Sequence, residues 1–234
     1  MVEIQKHALL ALITSDNQLS FVNYEKEGHR SGFTLNHTDP NKVLAIDYSE
    51  PDRLFAVLLT NRNLCFVEDA EIQKLAGVVR STGSEVSVRY LPIHAMWCLE
   101  SSNFQLQLFK SPKYSNIEEK IVFKPHEHPL TAIEEISNPS ALATGSLDGS
   151  VRLWNIHNRR LVSELRADRE CPSEHKGVRG IASFNRGKVS IICSWTFSTN
   201  IYVWLPSLSL SKPFLGELHG HTGLIDACRF TSVG

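Results

Sequence analysis

The sequence has no long hydrophobic run and no excess of either charge. No stretch approaches the ~18 apolar residues that a membrane-spanning helix needs. The first fifteen residues lack a basic segment and a small-residue cleavage site, so we expect no secretory signal. Lys and Arg number 24 against 25 Asp and Glu. This balance gives no overall field to concentrate nucleic acid or an anionic membrane, but it does not report how the charges are distributed.

Paired cysteines and helical patterns are also scarce. The five cysteines are an odd number and are never spaced as C-x-x-C, which indicates reduced thiols in a cytosolic-type compartment. Residues 68–79 could form a short helix, but no apolar stripe continues past them. No G-x-S-x-G nucleophile elbow is found anywhere. The absences favour an all-β protein without hydrolase machinery.

The best-patterned segment runs from Ala141 to Asn155 and predicts a strand, a tight turn and a second strand. Asp148-Gly149 is a hairpin signal, because the turn needs a positive φ and an Asp side chain can accept from nearby backbone N–H groups. Val151 and Leu153 alternate with Arg152, which is the period of a half-buried strand.

The same frame recurs along the chain. Aligned on Trp154, the second strands of the hairpins end at Val22, Val67, Phe109, Trp154 and Trp204, which are 42 to 50 residues apart. The turn position repeats as well, with short polar residues at Asp16, Asn61, Asn103, Asp148 and Ser198. A period near 45 residues with four strands in each unit is typical of a β-propeller.

These residues resemble the WD-repeat family. Thr144 to Asn155 is a close match to its repeat consensus, and Gly220-His221-Thr222-Gly223 matches the other half of the motif. His126 begins a comparable run, with Leu130 and Ile133 following it as Ile225 and Cys228 follow His221. The resemblance is strong over about 126–230 and degenerate before that. It implies an all-β propeller of four-stranded blades, with about five blades plus one extra strand, whose ring is either closed or incomplete.

The resemblance also implies a buried polar network in each complete blade. It would join His126, Thr144, Asp148 and Trp154 in one blade, and His175, Ser194 and Trp204 in the next. In the latter, Ser198 stands where the family has Asp, so that network should lack its charged acceptor. The earlier blades have apolar residues at the matching positions and should be held by packing alone. We expect Trp154 to be buried, and truncation of Trp97 or Trp195 to cost less than truncation of Trp154.

The whole chain, 1–234, is predicted to be one propeller. Its predicted blades are approximately 1–40, 41–82, 83–125, 126–174 and 175–219, followed by the start of a further blade at 220–234. The first blade is expected to begin near His7, without its first strand. Residues 224–230 are expected to form a spare strand that either closes a five-blade ring or, as we expect, starts blades that follow Gly234.

The histidine pairs and charge runs each have a plain structural explanation. His126 and His128, like His219 and His221, could suit a metal, but one His of each pair is already assigned to the blade motif and no third ligand is near. His126, Thr144 and Asp148 have the residue types of a hydrolase triad, but this Thr is expected to be buried. The acidic runs at 68–71 and 118–119 and the connections at 166–176 and 205–213 are interpreted as loops.

The function predicted from this resemblance is a non-catalytic protein–protein interaction scaffold, a WD-repeat adaptor that is part of a larger protein or complex. We expect protein partners, and no cofactor, metal, nucleic acid, membrane or small-molecule substrate. The alternatives are a nucleic-acid-binding propeller and a propeller enzyme with acids at its central channel. The expected location is cytoplasmic, and the degenerate early blades are similar to those of cytoskeletal and ciliary WD-repeat proteins.

Overall fold

The regular structure of the described residues consists of antiparallel β-strands. The structure is a computed structural model and describes residues 2–4, 9–13, 19–23, 30–33, 42–61, 63–68, 75–80, 85–113, 120–137, 140–166, 176–187, 189–206 and 213–231. Over these ranges there is no helix long and apolar enough to cross a membrane.

Five four-stranded sheets are built from strands in chain order. The first sheet contains β1 Val2–Ile4, β2 Leu9–Ile13, β3 Leu19–Asn23 and β4 Arg30–Phe33; the second contains β5 Val43–Ser49, β6 Leu54–Leu59, β7 Asn63–Glu68 and β8 Leu75–Arg80. The third contains β9 Glu85–Leu91, β10 Met96–Ser101, β11 Leu106–Lys110 and β12 Lys120–Phe123. The fourth contains β13 Leu130–Ile136, β14 Ala141–Ser146, β15 Ser150–Asn155 and β16 Arg160–Arg166; the fifth contains β17 Val178–Arg186, β18 Val189–Thr196, β19 Ile201–Trp204 and β20 Phe214–Leu218.

The chain divides into two compact units, Met1–Val122 and Phe123–Gly234. The first unit has a core of aliphatic and aromatic side chains from the second and third sheets, including Leu58, Phe66 and Trp97. The second unit has its own core from the fourth and fifth sheets, including Leu153 and Ile181. Each core forms where the first strand of one sheet, which we call its inner strand, packs against the first two strands of the sheet before it.

Small residues on β14 allow the fifth sheet to approach the fourth. All six residues of β14 are buried. A Cβ atom added to Gly145 would lie 2.7 Å from Val178 Cγ1, which is closer than real Cβ contacts allow. The small residues of β14 therefore allow Val178 of β17 to pack closely against this strand.

Two expectations about the ends of the repeat array differ from the structure. The first sheet has its first strand after all: β1 pairs with β2, Val2 opposite Ala11. Three residues are too short to give a period-two signal, so only pairing with β2 reveals the strand. Residues 224–231 are described but form no strand. They are held by side chains instead, since Ile225, Cys228 and Phe230 pack against a core cluster on β17, β18 and β19.

Candidate functional site

The fourth sheet brings together the four residues predicted to form a polar network. His126 precedes β13, Thr144 lies on β14, Asp148 lies in the turn after β14, and Trp154 lies on β15. His126 Nδ1 is 3.2 Å from Asp148 Oδ2, and His126 Nε2 is 2.9 Å from Thr144 Oγ1. Trp154 Nε1–H donates to the same Thr144 oxygen at 3.0 Å. One chain of hydrogen bonds therefore joins β15, β14, the turn that follows β14 and the segment that precedes β13.

The charges of the two titratable groups determine the direction of these bonds. Burial lowers the pKa of the His126 imidazole, so the ring is neutral near pH 7. Burial alone would raise the pKa of the Asp148 carboxyl, but hydrogen bonds from Ser150 and His126 outweigh it and hold that pKa below its ordinary value. A carboxylate cannot donate, so Nδ1 carries the ring proton and Nε2 accepts from the Thr144 hydroxyl.

A serine that the sequence analysis missed completes the network. Ser150 Oγ donates to Asp148 Oδ1 at 2.6 Å, and Ser150 N–H donates to the same oxygen at 2.8 Å. Ser150 is fully buried. The signal was present in the sequence, because a hydroxyl residue two positions after a turn Asp is placed to bond its carboxylate.

This arrangement supports structure rather than chemistry on a substrate. His126 is 1% exposed and Thr144 is 0% exposed. The Thr144 oxygen already accepts from the Trp154 indole while its proton is used by His126. A nucleophile needs a free path to substrate, and these contacts occupy both sides of the hydroxyl. Among the described residues, no group of three or more His, Cys, Asp and Glu side chains is placed to hold a metal ion.

The prediction that Trp154 is buried is wrong. Trp154 is only partly buried, and its ring centroid lies 5.6 Å from that of Phe123. Trp97 is 0% exposed, lying on central strand β10 between Phe66 and Tyr90, and Trp195 is also buried. Both Trp97 and Trp195 have a buried indole N–H without a partner among the described residues. The burial of a tryptophan depends on which side chains cover its ring, and the position of the residue in the repeat does not predict those contacts.

The fifth sheet retains part of the network. Trp204 Nε1–H donates to Ser194 Oγ at 2.8 Å, and both residues are buried. Ser198, at the position of Asp148, interacts with a hydroxyl instead of an imidazole: Thr196 Oγ donates to Ser198 Oγ at 3.0 Å. His175 lies outside the described residues.

Apolar side chains replace the network in the second and third sheets. Val57 and Leu99 stand where the fourth sheet has Thr144, and both are buried. Phe109 stands where it has Trp154, and its ring meets Phe66 edge-on at 6.3 Å. In the first sheet the matching residues Leu12 and Val22 have side chains outside the described part.

The polar turn residues perform the predicted role wherever they are described. The side-chain oxygens of Asn61, Asn103, Asp148 and Ser198 each accept the backbone N–H two residues further on, at 3.1, 3.3, 2.8 and 3.3 Å. Gly149, after Asp148, has a φ of 85°, which favours glycine. The hairpin prediction is confirmed at these four turns, while Asp16 lies outside the described residues.

A second repeated feature was not anticipated. The inner strands β5, β9, β13 and β17 each contain a β-bulge near their first residues. In each case one residue has no partner on the neighbouring strand; these residues are Leu44, Val86, Thr131 and Arg179. A bulge redirects a side chain out of the regular pleat. Leu44 and Val86, in the first unit, are 48% and 47% exposed.

The inner strands of adjacent sheets are joined by acidic side chains. Asp47 on β5 accepts the backbone N–H of Tyr90 on β9 at 2.7 Å. Glu134 on β13 accepts the N–H and the hydroxyl of Ser183 on β17, at 3.2 and 2.9 Å. Asp47 and Glu134 occupy the same position of their sheets. The inner-strand acids are therefore used in sheet-to-sheet contacts within each unit.

Comparison with known proteins agrees with this geometry. Residues 118–155, which contain the complete network, match the family model "WD domain, G-beta repeat". A stretch of 104 residues is 32% identical to the "WD repeat-containing protein 91 homolog" of Dictyostelium discoideum. That match covers 44% of this chain and only 12% of the relative, so the chain spans a small part of the relative's length.

Solved structures show the same fold. The structure titled "Crystal structure of RRP9 WD40 repeats" superimposes with a TM-score of 0.72, and the one titled "Structure of U3-55K" with a TM-score of 0.71. Each comparison covers 99% of this chain and 69% of the other at 17% sequence identity. At this identity the likeness concerns the fold alone.

Proposed function

Because this chain is a WD-repeat protein whose sheets are the blades of a WD40 propeller, we propose that it is a non-catalytic scaffold that binds other proteins. The supporting observation is where its exposed side chains lie. The histidine and threonine of the best-formed blade are buried in its network and the aspartate is partly buried, whereas the bulges of the second and third blades present Leu44 and Val86 to solvent. Exposed aliphatic side chains on a rigid strand suit the apolar centre of a protein interface.

Leu44 and Val86 lie at equivalent positions of neighbouring blades. Leu44 is next to the pair Val43–Leu59, and Val86 is next to the pair Glu85–Ser101, so both lie beside the turn between the second and third strands. The bond from Tyr90 N–H to Asp47 joins the two blades. Together the two side chains form an apolar pair on one end of the first unit, which we name the bulge pair.

Affinity purification with Leu44→Asp combined with Val86→Asp tests this proposal. We expect the double variant to lose the proteins that the natural chain captures, because a carboxylate in an interface centre must be desolvated without a partner. The matched control is Ile93→Asp, since Ile93 is 45% exposed in the same unit but lies in the turn at the opposite end of the third blade. Equal losses from both ends, or no specific capture by the natural chain, contradict the bulge pair as the binding site.

We also propose that the chain is the blade-forming part of a larger protein in the cytoplasm. The relative with a matching stretch is much longer than that stretch. Cys65, Cys98, Cys193 and Cys228 are free thiols, as suits a reducing compartment. Imaging of the natural full-length protein with a fluorescent tag measures the location, and an exclusively secretory or nuclear signal would contradict it.

A further inference from the structure

Four arginines of the second unit lie at one end of its two blades. We name this the basic end: the end at which β13, β15, β17 and β19 finish. Because neighbouring strands are antiparallel, the start of β16, β18 and β20 lies at this end as well. Ser137 N–H and Oγ both donate to Asn185 Oδ1, at 3.0 and 3.1 Å, so the two blades meet here.

The arginines at the basic end have no ion-pair partner in the part of the chain that the structure describes. Arg159 and Arg160 follow β15, Arg186 ends β17, and Arg229 precedes Phe230, whose ring packs against Phe184 of β17 at 5.5 Å. All four are exposed. Among the described residues, no ion pair or side-chain hydrogen bond involves their guanidinium groups.

The other described arginines of the unit are all ion-paired. Arg152 and Arg166 both bond Glu164, and Arg179 pairs with Asp226. The paired and unpaired arginines differ in position, because the paired ones lie along the strands or toward the end opposite the basic end. Unpaired guanidinium groups are thus gathered at one end, where they keep their full capacity to bind an anion.

Among the described residues, no carboxylate pairs with these arginines. Two acids lie on β13, where Glu134 accepts from Ser183 and Glu135 is buried. In the sequence, the connections after the four strands, 137–140, 156–159, 187–188 and 205–213, contain no Asp or Glu. The balanced net charge of the chain therefore conceals a local positive surface.

Large apolar side chains lie between the arginines. Leu161 on β16, Val189 on β18, and Phe214 and Leu215 on β20 are between 46% and 55% exposed. Leu215 falls at a bulge, where Val203 pairs with Gly216 and Trp204 with Phe214, so it is left out of the ladder. Each of these residues is among the first two of its strand, and thus at the basic end.

We propose that the basic end of the second unit is a peripheral membrane-docking surface for anionic phospholipids. The arginines bind lipid phosphates, and the interleaved apolar side chains enter the boundary between headgroups and acyl chains. A nucleic-acid surface would need exposed rings as stacking platforms, but the only described exposed large aromatic side chain at this end, Phe214, packs on Trp204 at 5.1 Å. Exposed aliphatic side chains have no use against a phosphate backbone, whereas a bilayer covers them. This surface is separate from the bulge pair of the first unit.

Vesicle co-sedimentation with the 234-residue chain tests the proposal. The probes are vesicles of phosphatidylcholine with about one third phosphatidylserine, and vesicles of phosphatidylcholine alone. We expect binding to the former, weakening with added salt, and none to the latter. Arg159→Gln with Arg160→Gln should weaken binding about 25-fold, since each basic residue at an anionic surface contributes about a factor of five. Leu215→Ser should weaken it about fivefold through lost apolar burial.

The matched control removes two positive charges from the opposite end of the same unit. Lys124→Gln with Lys176→Gln changes the net charge equally, and both residues precede inner strands. Retained binding by this variant supports the proposal. Equal weakening by both double variants overturns it, as does an absence of binding to anionic vesicles at low salt. Binding of a 20-nucleotide single-stranded RNA through the same arginines, without vesicle binding, also overturns it. Thermal unfolding of each variant checks that it is folded.

Discussion

At the residue scale, the neutral imidazole of His126 makes stability depend on pH. Burial lowers its pKa in the folded chain, so the unfolded chain takes up the proton first as pH falls below about 6.5. Stability is then lost on acidification by up to about 1.4 kcal/mol per pH unit. Asp148 acts in the same direction at lower pH: its folded pKa is depressed, so its contribution is present above its ordinary value and is lost as pH falls through the folded one.

The measurement is urea unfolding of the natural chain and of His126→Gln at pH 7.5, 6.5 and 5.5. We expect the free energy of unfolding to fall less steeply with pH in the variant, because Gln has no proton to take up. His157→Gln is the control, since His157 is exposed. Parallel pH profiles for the natural chain and His126→Gln would show that the ring is not the source of the dependence.

Asp148 and Asn61 occupy the same turn position but do different work. Asp148→Asn should cost about 1–3 kcal/mol, because the amide cannot accept from both His126 and Ser150 as the carboxylate does. Asn61→Asp should cost less than about 0.5 kcal/mol, since an Asp oxygen can still accept the Asn63 N–H. Chemical denaturation of the two single variants compares them, and equal losses would refute the unequal roles.

Trp97 should contribute more to stability than Trp154. Trp97→Ala empties a fully buried site between two aromatic rings and should cost about 3–5 kcal/mol. Trp154→Ala should cost less, because that ring is partly in solvent already. The free energies of unfolding of the two variants measure the order, and the reverse order would mean that the indole bond to Thr144 outweighs apolar burial.

At the element scale, Gly180 determines how closely β17 approaches β18. A Cβ atom at this position would lie 2.1 Å from Trp195 Cζ2, so Gly180→Ala must displace a buried indole. We expect a loss of about 1–3 kcal/mol, the usual cost of overpacking. Gly223→Ala is the matched control, because nothing lies within 4 Å of a Cβ there. Similar unfolding midpoints for both variants would show that β17 can shift to accommodate the added methyl group without loss of stability.

A four-stranded blade can be held together either by a buried hydrogen-bond network or by apolar packing. In the fourth blade, hydrogen bonds link three strands through Thr144, whereas in the third Leu99 and Phe109 fill the same positions by apolar packing alone. Both arrangements avoid unpaired polar atoms at these positions, because the Thr144 hydroxyl is hydrogen-bonded and Leu99 and Phe109 carry no polar side-chain atom. In the degenerate repeats, apolar side chains therefore replace the hydrogen-bonded ones inside the blade, while the four-stranded sheet is the same.

At the scale of the whole molecule, charge balance and charge distribution are separate properties. A net charge of −1 argued against an anionic partner. Within the second unit, however, acids pair with the arginines of the strands and of one end, whereas the four arginines of the other end have no ion-pair partner among the described residues. Because exposed charges act over about one Debye length of 8–10 Å, a partner responds to that local surface and not to the total.

Features that depend on neighbours along the chain could be predicted from the sequence. The hairpin period and the polar turn residues follow from strand alternation and turn chemistry, which are local, whereas the residues of the fourth-blade network were implied by the resemblance to the WD-repeat family. Three other features could be seen only in the folded chain: Trp97 is more buried than Trp154, Asp47 and Glu134 reach the next inner strand, and four arginines lie at one end of the second unit. Each of these depends on which sheet covers a side chain, and that surface comes from residues distant in sequence.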